Sequence, residues 1–324
     1  MIKNLQYYIS TSLNPYENLA TEKYLLDTVP EDGYILYLWQ NQNTVVIGKN
    51  QNPWAECRCN LLETEGGRLA RRLSGGGAVF HDTGNLNFTF LCSTENYDLD
   101  RQMKVIQTAC ELAGIKTELS GRNDLLADGR KFSGNAFYNS KGKAYHHGTL
   151  LINADLERMQ RYLTPPKAKL EAKGVKSVSA RVVNLSQLAT DLTCEKMCTY
   201  MLKAFEAVYG YVPTPLNISD TESILQYAEE NKSWDYLYGS TISFTASAEG
   251  QFSWGNAKLL LKITKGKITD AQLFTDAMDA SLPDMVCPIL IGCPLATTEI
   301  KQRLTAQFSH ELASDFSSLI TQIT

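Results

Sequence analysis

From Asn14 to about Val29 the apolar positions keep to one helical face, with Leu19 and Leu26 on it. Asn14 is suited to cap the first free N–H groups, and Pro15 suits the first helical position. The runs that follow are of another kind. Tyr34–Trp39 (YILYLW) and Thr44–Gly48 (TVVIG) are β-branched or aromatic and too short for helices, so both predict strands. Further strands are predicted at Leu69–Leu73, Ala78–His81 and Leu86–Leu91, around a glycine-rich turn. A helix is predicted over Asp98–Gly114, ended by its glycine. Strand-like text returns at Lys116–Leu119, Asp124–Leu126, Lys131–Tyr138 and Tyr145–Ile152, and helices at Asp155–Leu163, Glu195–Tyr209 and Glu222–Glu230.

From about Ile242 the chain alternates apolar and polar positions, with Gly250, Gly255-Asn256 and Lys265-Gly266-Lys267 read as turns. This predicts a meander of short strands, followed by helical text from Pro283 to Ile323. There is no internal repeat and no low-complexity linker. The fold class expected is α+β: a large mixed β-sheet domain over residues 1–240 and a small C-terminal α+β domain over 246–324.

With 324 residues, 44% of them hydrophobic and 20% charged, the chain can bury a sizeable core and is not of disordered composition. A net charge of −4 argues against nucleic acid binding through the overall field. No run approaches the roughly 18 apolar residues of a membrane span, and the first twenty residues carry no secretory or transit pattern. The expected compartment is the cytoplasm, with no membrane partner. The eight cysteines are scattered, with no CxxC pair, and the four histidines do not fall at zinc-finger spacing. The cysteines therefore read as free thiols in a reducing compartment.

Three segments carry candidate chemistry. In Arg71-Arg72-Leu73-Ser74-Gly75-Gly76-Gly77-Ala78-Val79-Phe80-His81-Asp82 the three glycines strip a stretch of side chains, so that a ligand can approach bare N–H groups. Arg72 offers a planar fork for phosphate or carboxylate. This is neither the GxxxxGK(S/T) loop nor GxGxxG, since Phe80 stands where the third glycine belongs. A glycine-rich turn without a ligand is the alternative. The second segment is Gly121-Arg122-Asn123-Asp124 with Arg130-Lys131-Phe132-Ser133-Gly134-Asn135-Ala136. Here Lys131 is either a solvated surface lysine or one with room for a ligand beside it. The third is Tyr145-His146-His147-Gly148-Thr149. Adjacent histidines on a strand point to opposite faces, so they do not chelate one metal as a pair. His147 is expected to pack or hydrogen-bond beside a pocket.

Taken in order, these segments resemble the lipoate–protein ligase family. The resemblance runs through NPYENLATE (14–22), TVVIGKNQNPWAEC (44–57), RLARRLSGGGAVFHDTGNLNFTF (68–90), GRNDLL (121–126), KFSGNAF (131–137), HHGTLLINADL (146–156) and EAKGVKSVSARVVNL (171–185), and on into FSWG (252–255) and residues 265–277. It implies a catalytic domain of the biotin/lipoate ligase type. Its activity would join lipoate and ATP into lipoyl-adenylate with release of pyrophosphate, then pass the lipoyl group to a lysine of a lipoyl domain. Acceptors of that kind are the acyltransferase subunits of 2-oxoacid dehydrogenases and the glycine cleavage H protein. Mg²⁺ would accompany the ATP, and a monomer is expected.

Residue by residue, the resemblance makes Lys131 the catalytic lysine, bridging the acyl carbonyl and the α-phosphate. Gly75, Gly76, Gly77, Ala78, Val79 and Phe80 become the loop around the adenylate, with Arg72 beside it. Asn85 and Asp124 fall near the nucleotide, with Asp124 the candidate Mg²⁺ ligand. Arg72, Ser74, Lys131, Gly134, His147 and Gly148 fall along the lipoate. Burying four or five methylenes of the acid gives roughly 3–4 kcal/mol at about 0.8 kcal/mol each. A departure is Phe137-Tyr138, where some relatives carry an arginine. The fused small domain favours a self-sufficient ligase, with a hinge expected near Tyr238-Gly239-Ser240. The rival readings are an octanoyltransferase of the same fold, which needs a thiol in the pocket, a biotin ligase, and a non-enzymatic lipoyl-binding module.

Overall fold

The computed structural model describes residues 4–120, 124–164, 181–239, 245–295 and 297–323. Gly121-Arg122-Asn123, most of the 171–185 motif, and Ser240 with the start of the C-terminal meander lie outside the described residues.

Fourteen strands are described: β1 Asn4–Ile9, β2 Gly33–Trp39, β3 Thr44–Ile47, β4 Arg68–Arg71, β5 Val79–His81, β6 Asn85–Ser93, β7 Glu118–Ser120, β8 Asp124–Ala127, β9 Arg130–Ser140, β10 Lys143–Leu151, β11 Thr214–Pro215, β12 Ala246–Phe252, β13 Gly255–Thr264 and β14 Lys267–Thr275. Eight form one mixed sheet in the order β11-β1-β2-β6-β10-β9-β8-β7. A second sheet, β4-β3-β5, lies beside it, and β12-β13-β14 form a third.

Why YILYLW has no polar positions is clear from its place. β2 is buried along its whole length, between β1 and β6. Tyr34, Leu36 and Leu38 join a core with the helices Leu99–Leu112 and Cys194–Tyr209, while Ile35, Tyr37 and Trp39 pack with the helix Pro15–Thr28. A strand covered on both faces loses the alternation that a half-exposed strand keeps. The helix Cys194–Tyr209 buries Met197, Met201, Ala204, Phe205 and Tyr209 as one stripe. It is capped by Thr193 and closed by Gly210 in the left-handed region at φ 77°. Asn14 caps the first helix through Tyr16 N, with Pro15 in the first turn, as its sequence predicts.

The C-terminal sheet has its own core. Leu259, Leu261 and Leu273 pack against Val286, Ile300 and Phe316 from the helices Leu282–Leu290, Thr297–Thr305 and His310–Thr321. Gly250 is not a turn: it sits inside β12, paired with Ala257, and the reversal falls at Ser253-Trp254. The short helices Pro53–Glu56, Cys59–Thr64 and Trp234–Tyr238 carry too few residues to show a period and went unpredicted, as did the strands β1 and β11.

Two backbone hydrogen bonds and one from the Asn50 side chain tie the small domain to the large one. Thr275 N donates to Asn50 O at 3.0 Å and Gly76 N to Ala277 O at 3.0 Å, and Asn50 Nδ2 donates to Ala280 O at 2.9 Å. The glycine loop thus lies under the small domain.

Candidate functional site

A cavity of about 1240 Å³ runs between the large sheet, the sheet β4-β3-β5 and the small domain. From the large sheet it takes Trp39, Asn87, His147, Thr149, Gly134 and Ala136. From the glycine loop it takes Arg72 and the run Gly76–His81, and from the small domain Trp254, Met278 and Leu282. Strand alternation decides which side chains reach it. His147, paired with Thr89, faces the cavity; His146, one residue earlier, faces the helices and sits between Gln102 and Asn135 at 3.0 and 2.8 Å.

Lys131 stands near the start of β9, where the pairing with β8 shifts register between Leu125 and Leu126. Its Nζ lies 2.7 Å from Asp124 Oδ1, with the two side chains 37% and 29% exposed. A pair this open is worth at most about 1 kcal/mol, so an anionic ligand can take the ammonium over at little cost. A Cβ on Gly134 would lie 2.9 Å from that Nζ. The small residue of KFSG therefore keeps the lysine head in place. Arg130 and Arg181 border the same part of the cavity.

Arg72 behaves otherwise than its sequence suggests. The guanidinium is buried and donates to Ser74 Oγ (3.0 Å), Gly75 O (2.7 Å), Gly77 O (2.8 Å) and Val46 O (3.2 Å). Most of the planar fork expected to face an anion is thus used in folding the glycine loop. Burial pushes its pKa down to about 10, still cationic at neutral pH. Arg71 likewise braces backbone carbonyls, at Lys49, Gln51 and Leu237. Gly76 takes φ +90°, a conformation that favours glycine. Ser74, Gly75 and Asn85 are buried behind the lining; Asn87, which accepts from Asn85 Nδ2 at 2.9 Å, borders the cavity instead.

A buried polar chain underlies the loop. Glu22 Oε1 lies 2.8 Å from His147 Nδ1, and His147 Nε2 lies 2.8 Å from Ser74 Oγ. With Glu22 accepting from Nδ1–H, Nε2 accepts the Ser74 hydroxyl proton, and Ser74 Oγ accepts in turn from Arg72 Nε. Thr89 Oγ1 also donates to Glu22, at 2.7 Å, and Trp39 Nε1 donates to Thr89 at 3.1 Å. Neither Glu22 nor Trp39 was singled out from the sequence. The signal for Glu22 was present: Asn18 and Glu22 are polar residues four apart on the buried face of the first helix, among Leu19, Leu25 and Leu26.

Among the described residues no cysteine borders the cavity. Burial pushes the thiols of Cys110 and Cys194, which flank the Lys131 and His147 segments in sequence, up to about 12. No helix is long and apolar enough to cross a membrane among the described residues.

The lipoyl protein ligase A/B catalytic domain description matches residues 14–206, and that of the bacterial lipoate protein ligase C-terminus matches residues 241–320. The chain belongs to the lipoate–protein ligase family of enzymes. It is similar to the P. falciparum LipL1 crystal structure in complex with lipoate, at 30% identity and a TM-score of 0.85 over 98% of this chain and 99% of that one. A second likeness is to the archaeal bi-partite lipoate protein ligase from Thermoplasma acidophilum, studied with its E2 lipoyl domain. There the identity is 21% and the TM-score 0.64, over 76% of this chain and 100% of that one. A third is to lipoate-protein ligase A bound with ATP, at 22% identity and a TM-score of 0.61, over 70% and 94%. At these lower identities the last two show the shared fold. The large mixed sheet with a smaller C-terminal domain is the lipoate ligase fold.

Proposed function

We infer that this enzyme is a self-sufficient, ATP-dependent lipoate–protein ligase acting in the cytoplasm. In the first step a lipoate carboxylate oxygen attacks the α-phosphorus of ATP. The new P–O bond replaces the bond to the β-phosphate, and pyrophosphate leaves. In the second step the amine of an acceptor lysine attacks the acyl carbon, loses a proton, and expels AMP. The acceptors are lipoyl domains of 2-oxoacid dehydrogenase acyltransferase subunits and the glycine cleavage H protein.

The observation that carries this reading is Lys131: an ammonium held, among the described residues, by a half-open ion pair, at a cavity also bordered by the Gly76–Phe80 loop. In both steps negative charge builds on the acyl carbonyl and the α-phosphate, and a single ammonium between them stabilises both. The loop N–H groups offer further donors to the phosphate. The acid runs along His147, Gly148 and Gly134, with its chain in the buried part of the cavity and its carboxylate toward Lys131.

Mg²⁺ fits this donor set as an ion that arrives on the nucleotide. Among the described residues no group of three or more His, Cys, Asp or Glu could hold a metal, which is compatible with Mg²⁺ bound by a single carboxylate and substrate phosphates. Asp124 would be that carboxylate, and the ion would neutralise phosphate charge. Residues 1–240 form the catalytic part and 246–324 an accessory part that moves between adenylation and transfer, about the Tyr238–Ser240 region. Pyrophosphate release with ATP, Mg²⁺ and lipoate, before and after addition of a lipoyl domain, tests the reading. Release followed by a gain of the lipoyl mass on the domain supports it; absence of release with intact protein refutes it.

A further inference from the structure

Among the described residues, three donors of the cavity lining make no hydrogen bond in the protein: Asn87 Nδ2, Arg181 Nε and His81 Nε2. His81 ends β5, is 3% exposed and borders the cavity, and its Nε2 makes no hydrogen bond. Its other ring nitrogen is held, with Nδ1 3.2 Å from Asn41 Nδ2. Which nitrogen carries the proton follows from the amides behind it. Asn18 Nδ2 lies 2.8 Å from the carbonyl oxygen of Gln40 and 3.0 Å from that of Ser12, a place only a donor can fill. The same Nδ2 lies 2.9 Å from the Asn41 side-chain oxygen, its two hydrogens shared among three acceptors; an NH₂ in that place would set donor against donor, so the oxygen stays there and the Asn41 NH₂ is turned to His81. Ser10 Oγ and Tyr37 OH secure the other end, donating to Asn18 Oδ1 at 2.7 and 3.1 Å. His81 Nδ1 therefore accepts, and the proton sits on Nε2.

The ring stays neutral. Burial, with Arg72 and His147 close by, pushes its pKa down to about 3. Trp39 meets the ring edge-on, with centroids 6.0 Å apart, and Leu19 and Val46 are apolar members of the same lining. Lys131, where the carboxylate end would react, is far more open to solvent than His81, so His81 belongs with the buried end. A buried donor without a partner is costly, and a bound ligand can supply what the protein does not.

We propose that Asn18 and Asn41 lock His81 as an Nε2–H donor, and that this donor reads an acceptor atom at the far end of the bound acid, favouring a dithiolane sulfur over a hydrocarbon tail. The proposal rests on the ligase reading given above, and makes His81 a specificity-determining residue and Asn18 and Asn41 positioning residues.

The test compares kcat/KM for pyrophosphate release with lipoate and with 5-cyclopentylpentanoate, which keeps the ring but puts carbon in place of both sulfurs. The wild-type enzyme should prefer lipoate by about three- to tenfold, the scale of one neutral hydrogen bond. His81→Leu should bring the ratio to about one, while His81→Gln, which keeps an N–H near the Nε2 position, should retain most of it. In ¹⁵N–¹H spectra of imidazole-labelled protein, His81 should appear as the Nε2–H tautomer alone, and Asn41→Leu should give a mixture with an intermediate ratio. A parallel fall for both acids in His81→Leu, no preference in the wild type, or an Nδ1–H tautomer would overturn the proposal. A wild-type protein inert to both acids would refute the ligase reading instead, and the tautomer spectrum would still decide the relay.

Discussion

Gly75 lies directly under Ala277: a Cβ added to the glycine would collide with the Ala277 carbonyl oxygen, and the next residue, Gly76, donates its N–H to that same oxygen at 3.0 Å. The middle of the glycine run is therefore shaped by the small domain as well as by the cavity. Gly75→Ala should push the small domain off the loop, at a cost of about 1–3 kcal/mol typical of overpacking. Hydrogen exchange at Gly76 N–H should accelerate and adenylation should fall at least several-fold. Unchanged exchange would mean that the two domains are not held together at this point.

Lys131→Ala removes the ammonium but little packing. Its partner Asp124 is open enough to be rehydrated, so thermal stability should stay within a degree or two. Pyrophosphate release should fall by about 10²–10³, the scale of losing one donor aimed at developing charge. Lys131→Arg should not restore it, since a planar fork cannot replace a compact ammonium beside Gly134. Stopped-time assays of pyrophosphate, with melting curves on the same samples, decide the matter; a fully active Lys131→Ala enzyme would remove the lysine from the mechanism.

Much of this was legible in the chain because the signals were local. The Asn14-Pro15 cap, the unbroken apolar run of β2 and the opposite faces of His146 and His147 follow from spacing alone. What was not legible depends on contacts between distant segments. Arg72 looked like an anion fork, and nothing nearby in sequence tells that Val46 O and the loop's own carbonyls take most of its donors. Gly250 looked like a turn because glycine marks turns, yet it pairs with Ala257 inside β12. Glu22 left a local trace on the buried face of the first helix, but its role did not show, because its partner His147 is 125 positions away.

That Glu22–His147 pair makes its own prediction. Glu22→Ala leaves His147 Nδ1 and Thr89 Oγ1 buried without their acceptor, which should cost about 2–4 kcal/mol. Glu22→Gln keeps an oxygen for the imidazole and should cost less than half as much. Chemical denaturation of the three proteins reads this directly. Equal loss in both variants would show that the charge of Glu22, rather than its acceptor oxygen, is what holds the chain to Ser74.

The last prediction concerns pH. Burial pushes both His81 and His146 down to about 3 in the folded protein, against roughly 6.5 in an unfolded chain. Between those values the unfolded state binds a proton at each ring that the folded state refuses. Stability is therefore fully present above pH 6.5 and declines as pH falls toward 3. The slope approaches about 1.4 kcal/mol per pH unit for each histidine. From pH 6.5 to 5.0 the carboxylates are mostly ionised in either state, so the histidines dominate the change. Denaturation midpoints should be flat from pH 8 to 7 and drop from 6.5 to 5.0, and His146→Gln, which keeps a polar side chain between Gln102 and Asn135, should remove about half of the slope due to this pair. A wild-type protein equally stable at pH 5.0 and 7.0 would mean that these imidazoles accept protons in place, and that the core around them is wetter than the packing of Phe88 and Phe90 against His146 implies.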